Sequence, residues 1–136
     1  MSGISPLIDQ SLVRSWIVCE SGSRWLTASQ RFITDLMPAH LTANIVTCEN
    51  TDVRKLLLRK PRAVVLWEIT SANATLLFER ISETSLAHPT ALQLAAANGL
   101  AERDLDALSE LGVGAVVAQI EQLPGLSKLV HRYFCR

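Results

Sequence analysis

Two carboxylates end apolar runs of this chain, at positions where they could take part in chemistry. Glu68 follows the run Ala63-Val64-Val65-Leu66-Trp67, and Glu20 follows the shorter run Trp16-Ile17-Val18-Cys19. The longer run is too short for a helix core and is rich in β-branched residues, which predicts a strand buried on both faces of a parallel sheet. Because parallel sheets present ligands at the carboxyl ends of their strands, we expect both glutamates to lie together in a cleft there.

Two neighbouring carboxylates repel each other, so either a cation compensates for their charge or one of them binds a proton at unusually high pH. Arg24 is the expected cation, because it lies at the start of the helix predicted after the first strand and its guanidinium could bridge both acids. The intervening Ser21-Gly22-Ser23 is interpreted as a helix cap, with an anion cradle at the helix N-terminus as the alternative.

The thiols and imidazoles do not form a metal-binding pattern. Cys19, Cys48 and Cys135 are odd in number and lack CxxC spacing, which argues against a disulfide framework and a zinc site. Cys19 and Cys48 end two predicted strands, so a redox role is the alternative to buried, inert thiols. His40, His88 and His131 are scattered along the chain. We therefore predict no metal and no cofactor.

Charged residues cluster in two segments of opposite sign. Residues 54–62 hold five cations, and no aromatic residues are interleaved for base stacking, so a solvated helix face is preferred to nucleic-acid binding. The acidic residues are Glu102, Asp104, Asp106 and Glu110. The two segments could meet across a protein contact.

Hydrophobic periodicity and turn residues predict five strands alternating with five helices. The strands are expected at residues 15–20, 41–47, 63–69, 91–95 and 113–118. The helices are expected at 25–36, 53–59, from 74 past 81, at 101–111 and from Pro124 to 134. This alternation with short links is typical of a three-layer αβα sandwich around a parallel sheet.

Length and composition fit one α/β domain. The chain has 136 residues, and we expect a leader at 1–14 followed by one domain at 15–136. Its 13 basic and 13 acidic residues give no overall attraction to nucleic acid or anionic membranes. No apolar run approaches the length of a membrane helix, and the N-terminus lacks the pattern of a signal peptide, so we expect a cytoplasmic protein that does not contact the membrane.

Three segments resemble the receiver domain of bacterial response regulators, over about residues 15–134. Residues 107–119, Ala-Leu-Ser-Glu-Leu-Gly-Val-Gly-Ala-Val-Val-Ala-Gln, resemble its fourth helix, glycine turn and fifth strand. Residues 63–69 resemble the third strand, which in the family ends on the phosphorylated aspartate, and residues 16–20 resemble the first strand, which ends on an acidic pair. The resemblance implies a flavodoxin-like, five-stranded parallel sheet with strand order 2-1-3-4-5.

The chemical positions of the family are changed in this chain. A working receiver uses two acids that hold magnesium, an aspartate nucleophile, a hydroxyl and a lysine. The corresponding positions hold Cys19 and Glu20, then Glu68, then the run Ala95-Ala96-Ala97, then Gln119. The resemblance therefore implies a degenerate, or pseudo-, receiver that lacks aspartyl phosphorylation and a tight magnesium site.

The expected function is that of a non-catalytic signalling or scaffolding module. Its partner would be another protein or a neighbouring domain, or a second copy in a homodimer. The family commonly uses its fourth and fifth helices and the strand between them, which here include Leu105, Leu108, Val116, Val117, Leu126 and Tyr133. The alternatives are a small-ligand or nucleotide-binding protein or enzyme that uses the cleft, and a receiver phosphorylated weakly on Glu68. Glu68 could also mimic a phosphorylated aspartate.

Overall fold

The computed structural model describes residues 14–36 and 43–135. Five parallel strands form one sheet in the order β2-β1-β3-β4-β5, which confirms the predicted α/β class and strand order. The strands are β1 Arg14–Cys19, β2 Ala43–Thr47, β3 Ala63–Ile69, β4 Leu92–Ala97 and β5 Val113–Val117. Residues 1–13 of the predicted leader, 1–14, and the start of the predicted second strand at Leu41 lie outside the described residues, and Arg14 is the first residue of β1.

Helices connect the strands in both outer layers. They are α1 Arg24–Leu36, α2 Val53–Arg59, α3 Ala74–Ala87, α4 Glu102–Glu110 and α5 Ser127–Phe134. Two 3₁₀ helices, Asn50–Asp52 and Ile120–Leu126, precede α2 and α5. The prediction that Pro124 opens the last helix is wrong, because Gln119 and Gln122 form a capping box that starts the 3₁₀ helix earlier.

The sheet divides the core into two layers according to the alternation of its side chains. Trp16, Val64 and Leu66 face α1 and α5. Val65 and Trp67 face α2, α3 and α4 on the opposite side. Residues 63–67 are fully buried, which confirms the prediction that β3 is covered on both faces.

The pairing of the strands places their carboxyl ends along one edge of the sheet. Cys19 of β1 lies opposite Trp67 of β3, and Glu68 lies opposite Ala96 of β4. The connection after β1 leads to β2 on one side, whereas β3 lies on the other side of β1. Such a topological switch point is where a doubly wound sheet forms its ligand crevice.

Gly112 allows the turn between α4 and β5 to pack closely against α3. Its φ of +107° is in the left-handed region, and a Cβ there would lie 2.3 Å from Ser85 Oγ. The Ser85 hydroxyl donates a hydrogen bond to the Leu111 carbonyl at 2.5 Å. Leu111 is the C-cap of α4, and Gly112 is the next residue.

Candidate functional site

A cleft of about 420 Å³ lies at the carboxyl ends of β1, β2 and β3. Its lining includes Cys19, Glu20 and Glu68, so the structure brings together these three residues singled out in the sequence. Cys48 and Glu49 complete one side, and Ser21 and Asn73 lie between the strand ends. Three carboxylates therefore line the cleft, and no lysine or arginine is among its lining residues in the described part of the chain.

Glu20 is the N-terminal cap of α1. Its carboxylate accepts hydrogen bonds from the backbone N–H groups of Trp25, at 2.9 Å, and Leu26, at 2.8 Å. An anion at a helix N-terminus satisfies unpaired amides and interacts favourably with the helix dipole. The anion cradle proposed for residues 21–23 is thus not supported, because the chain's own carboxylate already binds these two amides.

Glu68 is held by weaker contacts at the switch point. Its Oε1 accepts long hydrogen bonds from the backbone N–H and the hydroxyl of Ser21, at 3.4 and 3.5 Å. Its own carbonyl accepts a bond from Asn73 Nδ2 at 3.3 Å, and Asn73 Oδ1 accepts one from the Thr70 N–H at 2.7 Å. Asn73 thereby fixes the turn after β3, and Glu68 itself is partly exposed.

The predicted bridge from Arg24 to the acids is wrong. Within residues 14–36 and 43–135, no ion pair joins Arg24 to Glu20 or Glu68. The Arg24 guanidinium carbon instead lies 6.0 Å from the ring centre of Trp25. Backbone amides, which sequence reasoning did not consider as partners, compensate for the carboxylates.

The two thiols of the cleft are poor nucleophiles at neutral pH. Burial, followed by the neighbouring Cys48 and the nearby glutamates, raises the pKa of Cys19 from its ordinary value of 9.0 to about 12. Burial and Asp52 raise the pKa of Cys48 to about 11. Among the described residues, no group of three His, Cys, Asp or Glu side chains could hold a metal ion.

The positions that supply a hydroxyl and a lysine in a working receiver do not reach the cleft. Ala95 and Ala96 are buried in β4 beside β3, and their side chains have no polar atom. The Gln119 side chain is engaged in the capping box with Gln122, whose Oε1 accepts the Gln119 N–H at 2.9 Å. Neither position can neutralise a phosphoryl group on Glu68.

The residues of the expected interaction surface divide into exposed and buried sets. Val116 on β5 is 38% exposed, and Leu105, Leu126 and Tyr133 are partly buried. Leu108 and Val117 are buried in the core on opposite faces of the sheet, because α4 packs through Leu108 and Val117 alternates with Val116. A partner on this face would therefore contact the first set and not the two core residues.

A second cavity, which sequence reasoning missed, has a volume of about 840 Å³. It lies between α1 and the 3₁₀ helix Ile120–Leu126, with Phe32 and Leu123 in its apolar lining and Arg31 and Asp35 at its rim. In the sequence, Leu36 only continues the apolar stripe of α1. The structure shows that Leu36 is 44% exposed, and that exposure could not be read from the sequence.

No model of a known protein family and no curated protein matches this chain. Solved structures do match its fold. A CheY-like protein, tadZ, from Pseudomonas aeruginosa PAO1 aligns with a TM-score of 0.69 and 15% identity, over 88% of this chain and 98% of that one. A putative pilus assembly-related protein from Burkholderia pseudomallei K96243 also has a TM-score of 0.69 and 15% identity, over 91% and 92% of the two chains.

The signal receiver domain of a DNA-binding response regulator from Colwellia psychrerythraea 34H gives a TM-score of 0.66 at 16% identity, over 90% of this chain and 99% of that domain. The chain therefore has the fold of CheY-like receiver domains, as the sequence resemblance implied. Among the described residues, no helix combines the length and apolar character required to span a bilayer.

Proposed function

We propose that this chain is a pseudo-receiver, a non-catalytic signalling or scaffolding module of the bacterial cytoplasm that works through protein contacts without aspartyl phosphorylation. The observation that carries the proposal is the charge of the cleft. Among the described residues, Glu20, Glu49 and Glu68 line it and no lysine or arginine does, and Glu20 is already bound to the N-terminus of α1.

Phosphoryl transfer to a carboxylate needs positive charge around the transferred group. A metal ion and a lysine supply that charge in the family that the fold resembles, and a phosphoryl group adds about −1.5 to −2 charges at neutral pH. Adding this charge beside three carboxylates is strongly unfavourable. Glu68 is also one methylene longer than aspartate, which moves the nucleophile out of position for in-line attack.

The binding surface that we propose is the face formed by α4, β5 and α5. Val116 projects from the exposed edge strand, and Leu105 and Leu126 are partly exposed. Tyr133 is partly exposed as well, and its hydroxyl donates to the carbonyls of Ala63 and Thr90, at the start of β3 and just before β4. Leu108 and Val117 support this face from the core. The partner would be another protein or a neighbouring domain.

The direct test is incubation with acetyl phosphate and magnesium, followed by intact-mass spectrometry. We expect no mass gain of a phosphoryl group, in parallel with a response-regulator receiver as positive control. A phosphoryl adduct that forms on the wild type and is lost in Glu68→Gln would contradict the proposal.

A second, narrower candidate is a module of a pilus-assembly system. It is favoured by the similarity of the fold to a putative pilus assembly-related protein at a TM-score of 0.69. Deleting the gene in its source organism should then reduce surface pili, and a plasmid copy should restore them. Normal piliation of the deletion strain would exclude this role while leaving the pseudo-receiver proposal intact.

A further inference from the structure

The helix α4 carries a line of exposed carboxylates without partners in the described structure. Glu102, Asp106 and Glu110 are spaced i, i+4 and i+8, and all three are exposed. None of them forms an ion pair with a described residue. Like charges at this spacing destabilise a helix, and Glu110 in the last turn also opposes the helix dipole. We call these three residues the acidic stripe.

The helix α2 carries the opposite pattern. Lys55 and Arg59, spaced i and i+4, are both exposed, and Leu58 between them is 76% exposed. Lys55 lies 3.8 Å from Asp52, but this is a highly exposed pair that contributes little. Arg59 has no ion pair among the described residues. Lys55 and Arg59 form the basic stripe.

Both stripes lie on the same side of the sheet, because buried residues of α2, α3 and α4 belong to one core layer. The connection of β3 to β4 places α3 in the middle of this layer, with α2 toward the β2 edge and α4 toward the β5 edge. The two stripes therefore lie on either side of α3, and no ion pair between described residues joins them. Their charges are available to a second molecule.

The same layer exposes much of the apolar side-chain surface of the described chain. Six large hydrophobic side chains are exposed among the described residues, and three of them, Leu58, Leu76 and Leu86, lie on α2 and α3. Leu86 is 84% exposed, the largest value of the six. Apolar side chains flanked by exposed charges of both signs are typical of a protein contact and not of a membrane or nucleic-acid surface, which would require one sign.

We propose that the α2–α3–α4 face binds a second copy of this chain in a twofold-symmetric dimer. A twofold axis that runs parallel to α3, in the plane between the two copies, brings the basic stripe of each copy against the acidic stripe of the other, so the same contact forms twice. Residues four apart on a helix are about 6 Å apart along its axis, so the charges on both helices repeat at matching intervals. Leu58, Leu76 and Leu86 are covered between the copies. This contact does not involve the cleft, and it shares only α4 with the face proposed above for other partners.

Two charge-reversal variants test the contact by sedimentation velocity at low ionic strength, where screening is weakest. The first is Lys55→Glu with Arg59→Glu, and the second is Glu102→Lys with Asp106→Lys. Each variant alone should lose at least roughly tenfold in self-association, because like charges then face each other. An equimolar mixture of the two should recover the dimer, since both contacts become attractive again.

The matched control is Lys128→Glu with Arg132→Glu, an exposed i, i+4 pair on α5 in the opposite layer. It should leave the dimer unchanged, and circular dichroism should show that all variants are folded. A wild-type protein that stays monomeric at hundreds of micromolar would overturn the proposal. Stripe variants that dimerise like the wild type, or a mixture that stays monomeric, would overturn it as well.

Discussion

The Glu20 carboxylate binds the amides of Trp25 and Leu26, so a residue at an acidic position of the receiver site here stabilises a helix. We expect Glu20→Ala to lower the free energy of unfolding by about 0.5–2 kcal/mol, the usual cost of losing an N-terminal cap. Urea denaturation measures it. Glu49→Ala is the control, because Glu49 is exposed in the same cleft and makes no side-chain cap bond. Its free energy of unfolding should stay within about 0.5 kcal/mol of the wild-type value. Equal losses in the two variants would refute the capping role.

The buried thiols make stability depend on alkaline pH. The folded-state pKa values, about 12 for Cys19 and about 11 for Cys48, lie above the ordinary value of 9.0, so the folded protein binds these protons more tightly than the unfolded chain. The stabilisation that the two protonated thiols give the folded state is complete below about pH 9, and it is lost as the pH rises toward about 12. The denaturation midpoint should therefore fall as the pH is raised from 8 to about 11. In Cys19→Ala the midpoint should fall less steeply over the same pH range. The exposed Cys135→Ala should not alter it.

The substitution Gly112→Ala tests the packing of the α4–β5 turn on α3. An alanine there meets Ser85 Oγ at 2.3 Å and also adopts an unfavourable φ. Gly99→Ala is the matched control, since Gly99 has a φ of +84° but no atom within 4 Å of the added Cβ. Thermal denaturation should show that Gly99→Ala lowers the free energy of unfolding by about 1–2 kcal/mol, from backbone strain alone. Gly112→Ala should lower it by a clearly larger amount. Similar losses would mean that the contact with Ser85 is unimportant.

At the scale of elements, Gln93 joins β3, β4 and α3 through one buried amide. Its Oε1 accepts the Trp67 indole N–H at 2.9 Å, and its Nε2 donates to Ser85 Oγ at 2.8 Å and to the Ile81 carbonyl at 3.3 Å. Gln93→Leu leaves the indole N–H buried without an acceptor, which costs about 1–3 kcal/mol. Urea denaturation followed by tryptophan fluorescence measures it. Gln30→Leu, at an exposed site of α1, is the control, and a comparable loss there would contradict this account.

The elements themselves were largely predictable, whereas the contacts between them were not. The apolar run ending at Glu68 and the helical stripes contain the periodicities that define strands and helices, so their order follows from local sequence. The bond from Glu20 to α1 depends on how residues 21–23 turn, and the Trp67–Gln93 bond joins residues 26 positions apart. Neither contact leaves a periodic signal in the sequence. The sequence therefore indicates Arg24, the nearest cation, as the partner of the acids, and this prediction is wrong.

At the scale of the whole molecule, the sheet assembles a receiver-like crevice, and its lining residues in the described part of the chain include no lysine or arginine. The fold and the positions of Cys19, Glu20 and Glu68 follow from the resemblance and are seen in the structure. The cavity between α1 and the 3₁₀ helix Ile120–Leu126 was not predictable, because it depends on how a loop of that length packs.

The central claim is that the cleft does not accept a phosphoryl group, and beryllofluoride with magnesium tests it most directly. This anion mimics a phosphoryl group only where a carboxylate, a metal ion and donors surround it. Amide resonances of Ser21, Glu68 and Ala96, followed by two-dimensional NMR during titration, should not move beyond the shifts caused by salt alone. Saturable shifts of these resonances that disappear in Glu68→Gln would show a working acceptor site and contradict the account.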